Sequence, residues 1–161
     1  MNKYIEKYRK IIDRLVEKSF PSLKGKKIII KESGNSRRYH AVVFEFLFLS
    51  LILTSKKCRK LSDKALKALF AHELAHQEII KQMKFFEMIS YFLRWLFLRR
   101  VKVDFERRTD LLVIKKQYGN ELIELKKQAL KGKDKEELKK IKKRGYLSLE
   151  EIKSYIKKFK K

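Results

Sequence analysis

The chain has one cysteine, one proline and three histidines among its 161 residues. A single cysteine cannot form an internal disulfide, so Cys58 fits a reducing compartment. No histidine-bearing motif surrounds it, and its thiol reads as a bystander, not a nucleophile. No apolar run reaches the roughly 20 residues that a spanning helix needs. Phosphate-binding glycine loops, a dinucleotide fingerprint and internal repeats are all missing, which argues against nucleotide-dependent chemistry and repeat architectures. Acidic residues are scarce as well: 19 Asp and Glu stand against 43 Lys and Arg, for a formal charge of +24. Such a balance attracts anionic partners, whether nucleic acid, an anionic membrane surface or acidic substrates. It does not choose among them, and no RNA- or DNA-binding motif accompanies it.

What is present suits one domain with a modest core, since 44% of the residues are hydrophobic. Tyr4, Ile5, Tyr8, Ile11, Ile12, Leu15 and Val16 recur at helical spacing, which predicts an amphipathic helix ending near Phe20-Pro21. The segment Met1 to Lys7 is charged and lacks the apolar stretch of a secretory signal, so a cytoplasmic location is expected. Lys26 to Glu32, built around Ile28, Ile29 and Ile30, reads as a strand closed by a turn at Ser33-Gly34-Asn35. Ala41 to Leu53 reads as one or two further strands. Ser62 is the expected N-cap of a helix, with Asp63 in its first turn. Ala65, Leu69, His72, His76, Ile80 and Met83 would share its inward side.

That helix carries the most informative feature of the chain, Ala71-His72-Glu73-Leu74-Ala75-His76, which fits the pattern H-E-x-x-H. Residues four apart in an α-helix lie about 40° apart around the axis and about 6 Å along it, so two imidazoles can grip one ion. Glu73 then flanks the metal, where it can take a proton from zinc-bound water and hand it to a leaving amine. Two of the three histidines fall at this spacing around a glutamate.

A catalytic zinc takes three protein ligands and keeps one position open. No histidine follows His76, which excludes the longer pattern with a third downstream His. The only other histidine, His40, lies upstream in an expected strand. A carboxylate is therefore the remaining choice, and the downstream acids include Glu78, Glu87, Asp104, Glu106, Asp110 and Glu121. Glu106 stands out because Asp110 follows one helical turn later. Glu106 can ligate the ion while Asp110 accepts the far ring N–H of a ligating histidine.

His72-Glu73-Leu74-Ala75-His76 followed by Glu106-x-x-x-Asp110 resembles the gluzincin metallopeptidases, in particular the minigluzincins. These are soluble, minimal counterparts of the catalytic domains of the integral-membrane HtpX-like and CAAX-prenyl-protease-like families. The resemblance covers roughly residues 26 to 130. It implies a zincin-like α+β domain whose active-site helix carries His72, Glu73 and His76 and whose second helix carries Glu106, with Asp110 steadying a histidine. It also implies a rim strand that binds extended substrate, for which Leu47 to Thr54 is the candidate. Thr109 stands where the family usually has a small residue such as Ala. The oxyanion stabiliser has no clear match; Tyr39, His40, Tyr91 and Tyr118 are the candidates.

Between the two ligand helices, Phe85 to Leu98 is apolar nearly all round except for Glu87, Ser90 and Arg94. It is too short and too charged to span a bilayer. Packing in the core or against a second copy is the first expectation, and an interfacial helix held by Trp95, Tyr91 and Arg99-Arg100 is the second. After the break at Tyr118-Gly119-Asn120, Glu121 to Leu130 continues as helix, and Lys131 to Lys143 is a lysine-rich helix or linker. Ser148-Leu149-Glu150-Glu151 is a capping box that opens a last amphipathic helix through Ile152, Tyr155, Ile156 and Phe159. This helix either completes the core or covers the cleft and keeps an enzyme latent.

The sequence thus points to a catalytic unit over residues 1–130 with its N-terminal helix, and a C-terminal helical extension over 131–161. The expected activity is that of a zinc metalloendopeptidase, with Zn2+ as cofactor, peptides or unfolded proteins as substrate and peripheral contact with an anionic membrane surface. The alternative is a basic protein that binds nucleic acid or a membrane surface and carries a structural or vestigial zinc site.

Overall fold

A computed structural model describes residues 2–33, 41–45, 49–143 and 145–159. The chain is α+β: helix α1 (Lys3–Lys18), strands β1 (Lys27–Ser33), β2 (Ala41–Glu45) and β3 (Leu49–Ser55), then helices α2 (Asp63–Lys81), α3 (Phe85–Phe97), α4 (Arg99–Lys115), α5 (Gly119–Leu130), α6 (Lys135–Lys142) and α7 (Leu149–Phe159). Asn2 caps α1 by accepting from the Tyr4 N–H at 3.0 Å. Ser62 caps α2, with its hydroxyl accepting from the Ala65 N–H at 3.3 Å. Ser148 and Glu151 form the reciprocal capping box that opens α7, at 2.7 and 3.2 Å. The turn expected at Ser33-Gly34-Asn35 lies largely outside the described residues, as do Tyr39 and His40.

The sheet corrects one expectation. Its strand order is β1-β3-β2, with β1 parallel and β2 antiparallel to β3. Ile52 of β3 therefore faces Ile30 on one side and Val43 on the other. The rim strand expected over Leu47 to Thr54 is, over its described part, the central strand, and both of its hydrogen-bonding edges are taken. An incoming peptide could not pair with it. Among the described residues, the strand that borders α2 with an outer edge is β2.

Helix α2 forms the centre of the molecule, touching α1, α4, α5 and β2. Ala65, Ala68, Ala71 and Ala75 are fully buried, and their small size lets neighbouring backbones come close. The expected inward side is accordingly too narrow: 13 of the 19 residues of α2 are buried. Tyr8 and Ile12 of α1, Ile52 of β3, Phe70 and Leu74 of α2 and Leu122 of α5 share one hydrophobic cluster with Leu147 and Ile152 from beyond residue 130. The last helix therefore packs into the same core. At Gly119 a Cβ would lie 2.5 Å from Ile156 Cγ1, so α5 and α7 approach too closely for a side chain there.

Helix α3 is the exception. None of its residues is buried, so packing into the chain's own core is overturned for Phe85 to Phe97. No helix among the described residues is long and apolar enough to cross a membrane.

Candidate metal centre

The antiparallel run from α2 through α3 back to α4 lays the middle of α4 against the middle of α2. His72, Glu73 and His76 come from α2, and Glu106, Thr109 and Asp110 from α4. One ligand atom each from His72, His76 and Glu106 lies within 4.8 Å of the other two. His72 Nε2 is 3.1 Å and His76 Nε2 is 3.6 Å from Glu106 Oε2. Donors around a tetrahedral zinc at about 2.0–2.2 Å are spaced by about 3.3–3.6 Å, and the two distances to Glu106 lie close to that range. The imidazoles meet edge to face with centroids 4.6 Å apart.

The far nitrogens are also assigned. His72 Nδ1 lies 3.1 Å from Asp110 Oδ1. Asp110 is 1% exposed, and its other oxygen accepts from Lys126 Nζ at 3.1 Å and from the Leu147 N–H at 2.9 Å. An ionised carboxylate can only accept, so His72 carries its proton on Nδ1 towards Asp110. His76 Nδ1 lies 3.0 Å from Thr109 Oγ1, while the Thr109 hydroxyl donates to the Phe105 carbonyl at 2.9 Å. With its single proton spent there, Thr109 accepts from His76 Nδ1–H. Both histidines consequently turn Nε2 towards Glu106.

The electrostatics follow from this packing. Burial would lower His72, but its hydrogen bonds to Asp110 and Glu106, and their charges, push it up to about 10. Burial, joined by the neighbouring His72, drives His76 down to about 3 and leaves it a neutral donor. Burial works to raise Glu106 and Asp110, yet hydrogen bonds from His72 and the charges around them hold both below the usual carboxylate range. A proton on His72 thus balances the carboxylates where a cation would otherwise do so. Glu73 is different. Burial raises it to about 7, against the pull of His72 and with a further push from Glu106. It forms no hydrogen bond or ion pair among the described residues. A buried carboxylate without a donor costs stability, and such groups collect where chemistry needs a proton acceptor.

The structure therefore brings His72, Glu73, His76, Glu106 and Asp110 to one place. The Cys58 thiol is buried in the core and pushed up to about 11, chiefly by burial, with Glu73 among the charges that act on it. The Tyr118 hydroxyl pairs with Ser19 at 2.6 Å, and the Tyr91 hydroxyl reaches the Val101 carbonyl at 3.4 Å. Three side chains at the site had no role assigned from the sequence. Thr109 had a legible signal, since it lies on α4 one residue before Asp110 and three after Glu106. Lys126 and Tyr146 had none: the Tyr146 ring comes to 5.8 Å from that of His72, with Lys126 Nζ 4.8 Å from its centre, only through tertiary packing.

No family model, curated protein or solved structure matches the chain.

Proposed function

We propose that the chain is a zinc-dependent metallopeptidase of the gluzincin type, with a zincin-like arrangement of its two ligand helices. The observation that carries this is the convergence of His72, His76 and Glu106, with both far imidazole nitrogens already held by Asp110 and Thr109. Two nitrogen donors and one carboxylate suit zinc, and three protein ligands leave a position open for chemistry. A structural zinc closes with four protein ligands, and the described residues offer three here.

Zinc bound there would supply Lewis acidity, making a water more acidic and a peptide carbonyl more electrophilic. The rest belongs to the chain. Glu73, held near neutrality by burial, accepts the proton of the attacking water and returns it to the leaving nitrogen as the C–N bond breaks. Asp110 and Thr109 keep the two imidazoles aimed so that no reorientation is needed during the reaction. The outer edge of β2, next to α2, offers backbone groups that an extended polypeptide could pair with. Unfolded protein segments are the substrate class that fits such an edge.

The test is Glu73→Gln. The variant is expected to bind zinc as tightly as the parent while hydrolysis of an unfolded protein such as casein falls by about 10²- to 10⁴-fold. Parent-like hydrolysis by that variant would contradict the role assigned to Glu73.

A further inference from the structure

Helix α3 combines two properties that belong together on only one kind of partner. The eight exposed large hydrophobic side chains among the described residues all lie between Phe85 and Leu98. Phe86 and Phe97 are the extremes, at 82% and 81% exposed. At about 100° per residue, seven of them, from Phe85 to Phe97, fall within an arc of roughly 140°. Glu87, Ser90 and Arg94 follow on one side of that arc. On the other, half-buried Tyr91 and Trp95 turn to α4, where the Tyr91 ring meets Phe105 at 5.4 Å and Lys102 sits 4.8 Å from the centre of the Trp95 ring. The helix is thus fastened to the molecule by one side and presents its apolar arc outward.

The second property is charge. Where α3 breaks at Leu98 and α4 begins, a cavity of about 530 Å³ is lined by Arg94, Arg99 and Arg100 beside Phe97, Leu98 and Val101, with Asp104 as its one acid. Arg99 donates to the Lys143 carbonyl at 2.9 Å. The side chains of Arg94 and Arg100 form no hydrogen bond or ion pair among the described residues. Guanidinium groups next to an apolar recess suit a phosphate ester attached to a hydrocarbon chain.

We propose that α3 and the α3–α4 elbow form a docking surface for an anionic phospholipid bilayer. Phe86, Phe92 and Phe97 enter the boundary between headgroups and acyl chains, and Arg94 and Arg100 take lipid phosphates. The helix lies in the plane of the membrane and does not cross it, in keeping with its 13 residues. Charge complementarity selects this occupant over a second copy. A symmetric dimer through α3 would set the same arginines against each other on two chains of +24 each, whereas an anionic surface gains from every one of them. The proposal does not depend on the metal centre.

The experiment is co-sedimentation of the full chain with vesicles of phosphatidylcholine, with and without phosphatidylglycerol, at low salt and at about 1 M salt, where the screening length falls to about 3 Å. The expected result is binding to the anionic vesicles, and a fraction of that binding survives high salt. Phe86→Ser with Phe97→Ser should lower the affinity by roughly ten-fold or more and remove the salt-resistant fraction. Arg94→Gln with Arg100→Gln, which leaves most of the chain's +24 charge in place, should lower the preference for phosphatidylglycerol without abolishing it. Equal binding by parent and serine variant that vanishes at high salt would overturn the proposal. A lipid-free dimer that Phe86→Ser dissociates would assign the face to a second copy and overturn it too.

Discussion

Helices α2 and α3 follow each other in the chain and have opposite fates. Helix α3 is the more apolar, with Phe, Leu, Ile, Met, Trp and Tyr over most of its length, and not one residue of it is buried. Helix α2 carries His72, Glu73, Gln77 and Glu78 and is buried on nearly every side. The difference lies in what surrounds them. Alanines at 65, 68, 71 and 75 let α1, α4 and α5 approach α2 from several directions, and Ser50 holds buried Gln77 at 2.9 Å while Lys116 pairs with Glu78 at 2.8 Å. Helix α3 has one close neighbour, α4, and bulky side chains directed away from it. Burial depends on the surfaces that the rest of the chain supplies, and among the described residues α4 is the main surface offered to α3.

The contrast can be broken most directly by truncating one aromatic on each helix. Phe70 of α2 is fully buried, so Phe70→Ala should destabilise the fold by about 3–5 kcal/mol. Phe97→Ala, by removing a side chain 81% exposed, should stay within about 0.5 kcal/mol of the parent. Urea unfolding of the two variants decides, and similar costs would mean that α3 is covered within the chain.

Helix α4 joins the two regions, since its first turn belongs to the exposed elbow and its middle to the candidate metal centre. Thr109→Val keeps the shape of the side chain and removes the oxygen that accepts from His76 Nδ1. Zinc affinity, measured by chelator competition, should fall by about 10- to 100-fold, and Thr109→Ser should restore most of it. An unchanged affinity in Thr109→Val would show that His76 is oriented without its hydroxyl partner.

Gly145 sets the approach of the C-terminal segment to that same centre. Its φ is +92°, and a Cβ would lie 2.6 Å from Val103 Cα in α4. Gly145→Ala should cost about 1–3 kcal/mol in unfolding experiments and loosen the Leu147 N–H from Asp110. A neutral substitution would mean that residues 145–147 are not held against α4.

Much of this was legible in the residues. The four-residue spacing of His72 and His76, the Ser62 cap and the Ser148–Glu151 box are local patterns, and local patterns survive folding because neighbours along a helix stay neighbours. Asp110 could be placed beside a histidine because Glu106 and Asp110 share a helix face. The central position of β3 could not be read, since Ala41 to Leu53 is apolar but for Glu45 and Ser50 and its pairing depends on β1, parallel and distant in sequence. Nor could the exposure of α3, because an apolar helix looks the same in sequence whether a neighbour covers it or not. Lys126, Tyr146 and the Leu147 N–H reach the centre through contacts spanning 16 to 74 positions, for which no spacing rule exists.

The central claim is that His72, His76 and Glu106 form one zinc site. Its most direct test is the zinc content of purified chain after dialysis against trace metal, for the parent and for His72→Ala, His76→Ala and Glu106→Ala, with folding verified by circular dichroism. About one zinc per chain is expected in the parent, none in either histidine variant and a strongly reduced content in Glu106→Ala. One zinc per chain retained in all three folded variants would contradict the claim.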